Sequence, residues 1–80
     1  MQEIKSAIRA FLAPRFGGYA LADDENLFAT GYVTSLFSMQ LVLFAEQKFG
    51  LSVDSEDLDL ANFNSIDALA RFVARKTGAV

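Results

Sequence analysis

The hydroxyl group that invites a chemical question lies at position 35, in the run GYVTSLFSMQ, where a serine opens an apolar, helix-forming stretch. A serine is a weak nucleophile until a base takes its proton. The chain has no His and no Cys, which excludes a Ser-His-Asp arrangement, a thiol nucleophile and a Cys/His zinc site. A Ser-Lys pair would need Lys5, Lys48 or Lys76 beside Ser35 with a lowered pKa. Lys48 lies about three and a half turns along the same helix, and no sequence signal brings the other two close. We therefore expect no catalytic residue and no metal site. Two readings of Ser35 remain. Thr34 or Ser35 caps the helix, or Ser35 is a substrate whose hydroxyl a loop presents to another enzyme. A phosphodiester at that place would meet free backbone N–H groups and the positive end of the helix dipole. The readings are compatible, because a capping position is also an exposed one. A cryptic serine hydrolase is the weakest alternative and predicts labelling by an active-serine probe.

Four helical segments must position that hydroxyl. Ile4, Ala7, Ile8, Phe11 and Leu12 share one face of a helix over 2–12, with Lys5 and Arg9 off it, and Pro14 is expected to end it. The second helix spans 35–49 and stops at Gly50, a residue suited to the left-handed position that follows a helix. A short third helix covers 55–60, where Asp54 and Asp57 have the spacing of a reciprocal cap. The fourth covers 65–76, with Asn64 as its cap, Ile66, Leu69, Ala70 and Val73 inward, and Arg75 and Lys76 in a last turn that favours cations. No alternating strand pattern or repeat appears. The fold expected is an all-α four-helix bundle, three longer helices and one short one, with a long loop between the first two. That loop, 15–34, is too long to be structureless in so small a domain unless it serves a function. Leu21, Leu27, Phe28 and Val33 should anchor it against the helices.

The second helix is apolar nearly all round. At 100° per residue, Leu41, Val42, Ala45 and Phe49 make one stripe, while Leu36, Met39 and Leu43, mixed with Gln40 and Gln47, make another roughly opposite. Such a helix is either central to a core or shows an apolar face to partners. The second stripe begins beside Ser35, which favours contact with partners.

Composition sets the remaining bounds. Eighty residues make one domain, 1–80, and 52% hydrophobic content with eight Phe suffices for a packed core. A net charge of −3, with seven basic residues spread from Lys5 to Lys76, argues against nucleic acid, whose phosphates need clustered cations. The amino end has an acid at Glu3 and no small-residue cleavage pattern, so it does not read as a signal peptide. Twenty residues, 26–45, carry no charge, the length of a membrane span. Polar residues interrupt them, however, and the dense apolar part, 36–45, is too short to cross. No membrane association is expected; a monomer in a reducing cytoplasm is compatible with the absence of Cys.

With the serine, loop and helices placed, the chain resembles the acyl carrier proteins of fatty-acid, polyketide and nonribosomal-peptide systems. ENLFATGYVTSLFSMQLVLFAEQKFG is similar to that family's loop end, attachment serine and second helix. LSVDSEDLDLANFNSIDALARFV is similar to its third and fourth helices. The family's Asp-Ser-Leu motif corresponds to Ser35 followed by Leu36. The resemblance implies phosphopantetheine on Ser35, with Thr34 and Leu36 shaping the attachment site, and a separate phosphopantetheinyl transferase that uses coenzyme A and magnesium. It also implies a carrier that is not an enzyme, whose arm supplies the thiol this chain lacks. Leu36, Phe37, Met39, Gln40 and Leu43 would meet partner enzymes: an acyl- or aminoacyl-loading enzyme and tailoring dehydrogenase or synthase modules.

Thr34 stands where the family usually has aspartate, and the second helix, acidic in fatty-acid carriers, is mostly neutral here. GYVTSLFSMQLV is more similar to stand-alone carriers of secondary metabolism, in particular those on which hydroxymalonyl, methoxymalonyl or aminomalonyl extender units are built. An aminoacyl or D-alanyl carrier is the next candidate. A small helical adaptor that binds a partner through Leu36, Met39 and Leu43 without modification is the rival from another class. Acid gathers at Asp54, Glu56, Asp57 and Asp59 and at Asp23, Asp24 and Glu25; solvation and capping explain it better than docking to a basic partner.

Overall fold

Apolar residues at three-and-four spacing open the chain, and they coil into a helix that runs past its proline. In the computed structural model, which describes residues 2–17, 21–31 and 33–78, the elements are α1 (Gln2–Phe16), α2 (Ser35–Phe49), a 3-10 turn at Ser55–Asp57, a second at Leu60–Asn62, and α3 (Ile66–Thr77). The described residues contain no strand, so the all-α expectation holds. The periodicity suggests four helices, whereas the chain forms three α-helices and two 3-10 turns.

Three local readings are corrected. Pro14 lies inside α1 rather than ending it. Phe16 extends the buried row of Ile8 and Leu12 by one more turn, and that burial outweighs the proline. The N–H that Pro14 lacks would serve the carbonyl of Ala10, on an exposed face where water can replace it. The expected third helix breaks in two because Asp59 starts a turn of its own: its Oδ1 accepts the Ala61 amide at 2.9 Å. Short carboxylates compete with regular helix in this way. The cap of the last helix is Ser65, not Asn64. Ser65 Oγ accepts the Ala68 amide at 3.0 Å, while the Asn64 carbonyl is engaged by the Leu27 amide at 2.7 Å.

α3 is the centre of the core. Every apolar residue in it is buried, from Ile66 to Ala74, and α1 is its principal neighbour. Ile8, Leu12 and Phe16 of α1 and Phe37, Leu41 and Ala45 of α2 complete the cluster, with Phe63 tilted against Phe72 at 5.4 Å between ring centres.

The long loop is fastened to α1 and α3. Leu21, Leu27 and Val33 are buried and Phe28 packs against them, as their apolar character suggests. Arg9 donates to the Leu21 carbonyl at 2.8 Å and pairs with Asp23. The Asp67 amide donates to the Asp23 carbonyl at 2.9 Å, and Lys5 reaches Asp67 at 2.7 Å and Asp23 at 3.7 Å. Backbone hydrogen bonds and buried side chains therefore fix the path that leads to α2.

Candidate functional site

Three features start α2 where it starts. Val33 is buried and sets the approach. Thr34 then takes extended backbone, with φ −103° and ψ 168°. Its Oγ1 accepts the Phe37 amide at 3.2 Å and its carbonyl accepts the Ser38 amide at 3.0 Å. Thr34 is thus the cap, and Ser35 is the first helical residue. The Ser35 side chain lies outside the described part of the structure. Helix geometry leaves the N–H groups of Ser35 and Leu36 without an intrahelical acceptor, and no acidic side chain occupies the first turn. The far end closes at Gly50, whose φ of 66° no β-carbon favours and whose amide donates to the Glu46 carbonyl at 3.0 Å.

The inward and outward faces of α2 follow from its burial of Phe37, Leu41 and Ala45. That choice turns Leu36, Met39 and Leu43 to solvent, at 80%, 55% and 55% exposure, and Gln40 is exposed between them. The sequence-predicted residues Thr34, Leu36, Met39, Gln40 and Leu43 thus share an exposed surface that starts at the serine. Phe37 does not: it is 5% exposed, stacks near Phe11 with ring centres 5.9 Å apart, and lies 4.0 Å under the Arg15 guanidinium. Its place one turn before Leu41 on the buried row makes it a core residue, which corrects its expected partner-facing role.

Two apolar residues beyond α2 join this surface. Leu58 and Leu60 are exposed, and with Met39, Val42 and Phe63 they line a cleft of about 150 Å³ between α2 and the second 3-10 turn. They escape sequence reading because a helix over 55–60 offers no reason to leave both outside. Their alternation with Asp57 and Asp59 was the available signal.

Charge around the site is mostly committed to holding the frame. Lys76 Nζ bonds Asp57 at 2.8 Å and Asp54 at 3.3 Å. The Lys76 hydrogen bond, followed by the bond from the Asp54 amide, holds the Asp57 carboxyl below its ordinary value. Asp57 in turn raises Lys76, and Asp67 raises Lys5. Glu46 accepts the Val53 amide at 2.9 Å. Asp54 and Asp57 thus form a cap as expected, while Asp23 is ion-paired with Arg9 and Lys5. Among the described residues no carboxylate cluster is spaced to hold a metal ion, and no helix is long and apolar enough to cross a membrane.

In comparison with protein families, the family model described as "Phosphopantetheine attachment site" matches residues 4–73, from the first turn of α1 into α3. No curated protein matches the chain.

Proposed function

Because the chain belongs to the phosphopantetheine-attachment family, in which the arm is held covalently on a serine, we propose that Ser35 is that serine and that the protein is a carrier for acyl or aminoacyl intermediates. The observation that carries this is the start of α2. A serine is the first helical residue, flanked by the exposed Thr34 and Leu36, and no acid in the first turn repels a phosphodiester. The free amides of that turn and the helix dipole favour its negative charge. The residues present fit the group.

Each residue then has a limited task. The Ser35 hydroxyl is the acceptor, and its proton leaves to a base on the transferase, because this chain holds no His. Thr34 fixes the helix start by capping Phe37. Leu36, Met39, Gln40 and Leu43 offer a neutral, largely apolar contact surface to partner enzymes, and Leu58 and Leu60 extend it. When bound, the arm supplies the thiol on which thioesters form. Carriers of this family work with a phosphopantetheinyl transferase and acyl-handling enzymes rather than as catalysts.

The pathway we favour is secondary metabolism, with hydroxymalonyl, methoxymalonyl or aminomalonyl extender units as cargo. Thr34 in the place usual for aspartate and the neutral run SLFSMQLV support that reading. The same reading makes the chain a cytoplasmic monomer. Intact-mass measurement after incubation with coenzyme A and a broad-specificity transferase tests the attachment. One phosphopantetheine should be gained, and lost in Ser35→Ala; no gain with several transferases would sink the proposal. Mass analysis of the cargo on protein taken from its native cells tests the finer reading, which an aminoacyl mass would replace.

A further inference from the structure

A second and larger cleft flanks α2 on its α1 side. It measures about 550 Å³ and is lined by Phe11, Gln40, Leu43, Phe44, Gln47 and Lys48. Beyond Phe11 the surface continues as a smaller cleft to Pro14 and Arg15. Its floor is the stacked pair Phe11 and Phe44, with ring centres 4.2 Å apart, and its walls carry the amides of Gln40 and Gln47.

The charge of this trough is opposite to that of the chain. The protein is net −3, yet among the described residues no carboxylate lines either cleft between α1 and α2, and a cation stands at each end. Arg15 lies over Phe37 at one end. Lys48, exposed and without an ion pair among the described residues, stands at the other. The helix rise over the eleven residues from Phe37 to Lys48 separates these ends by about 16 Å. The acids of the two flanking helices lie outside it: Glu46, the one acid in α2, is bonded to the Val53 amide, and Glu3, the one acid in α1, lines neither cleft.

We infer that this trough docks an acidic amphipathic helix of a partner enzyme. Apolar side chains at helical spacing would lie on Phe11, Leu43 and Phe44, and carboxylates about three turns apart would meet Arg15 and Lys48. The inference rests on the carrier reading, which supplies the need for partners, and it goes beyond that reading by fixing their chemistry. A partner with a basic docking surface would meet cations at both ends, whereas an acidic one is steered in by them. A second copy of this chain is a poorer occupant, because α2, its helix with an exposed apolar row, has no acid in the first turn and its one acid, Glu46, is bonded to the Val53 amide.

The test uses the full-length chain, labelled with nitrogen-15, and two synthetic helical peptides of identical Leu/Phe pattern, one flanked by glutamate and the other by lysine. The glutamate peptide should shift the amides of Phe11, Gln40, Phe44 and Lys48 and weaken as salt rises; the lysine peptide should not bind. Lys48→Glu and Arg15→Glu should each weaken binding about fivefold, the upper range for one exposed charge pair, and Lys48→Gln should weaken it less. Equal binding of both peptides, shifts centred on Leu58 and Leu60, or self-association relieved by Lys48→Glu would each overturn the inference. Transferase loading of the same samples separates the two readings. Loading without peptide binding rejects the trough alone, and peptide binding without loading rejects the carrier and leaves the trough to an unmodified adaptor.

Discussion

α2 and α3 are both apolar helices, and they spend their apolar residues differently. α3 buries all of its own, Ile66, Ala68, Leu69, Ala70, Phe72, Val73 and Ala74. α2 carries larger side chains, yet Leu36, Met39 and Leu43 are exposed, and Val42, Phe44 and Phe49 are half-buried. A helix more apolar than the core can accept holds surface that folding does not require. That surplus starts beside Ser35, the serine proposed to hold the arm. α3 by contrast is tied by its cap, its core and its ion pairs, and it gives the site a rigid back wall.

The largest expected effect that would break this contrast is in α3. Phe72→Ala should cost about 3–5 kcal/mol, a large share of the 5–15 kcal/mol that holds a typical domain, and urea denaturation should show the chain close to unfolding. If Leu43→Ala in α2 cost as much, the two helices would not differ as described. Next come the caps. Thr34→Ala and Ser65→Ala should each lose about 1 kcal/mol, read as a lower urea midpoint. Ser65 sits among buried residues, so its loss should be the larger of the two. Ser35→Ala should leave the midpoint almost unchanged, because Thr34 and not Ser35 provides the cap.

A smaller effect appears with pH. The Asp57 carboxyl is held below its ordinary value of 3.8 by Lys76 and the Asp54 amide. A depressed folded-state pKa stabilises the fold above the unfolded value, and the contribution fades as pH falls through the folded one. The difference in unfolding midpoint between the wild type and Asp57→Asn should therefore be steady near neutral pH and close below about pH 4. Lys5 and Lys76 are raised above 10.5, so their contribution should be complete below that value and lost as pH climbs through the raised one. Smallest of all for stability, Leu36→Gln, Met39→Gln and Leu43→Gln should stay within about 0.5 kcal/mol. On the carrier reading the same changes should slow transfer by partner enzymes, and that pairing of unchanged midpoint with lost transfer sharpens the contrast most.

Much of this was legible in the residues. The bounds of α2, the inner row of α3 and the loop anchors Leu21, Leu27 and Val33 follow from periodicity, a glycine stop and apolar character, and the structure agrees. The misreadings of helix bounds have two causes. Pro14 and Asn64 are local signals outweighed by contacts made elsewhere, Phe16 in the core and the Asn64 carbonyl with the Leu27 amide, whereas the expected third helix breaks through a local bond, Asp59 with the Ala61 amide. Phe37 was misplaced because it was grouped with its partner-facing neighbours Leu36 and Met39, although it stands one turn before Leu41 on the row that faces in.

The sequence by itself determined that the chain is helical, that it has no histidine or thiol of its own to act with Ser35, and that this serine stands at the start of an apolar helix. These are properties of residue type and spacing, which need no partner to be expressed. Only the tertiary structure decided which stripe of α2 is buried. Packing against α1 and α3 admits Phe37, Leu41 and Ala45, and so leaves Leu36, Met39 and Leu43 outside. It also decided which charges are spoken for, because Asp54, Asp57 and Lys76, far apart in the chain, become one ion-paired group only when the second half folds back on α3.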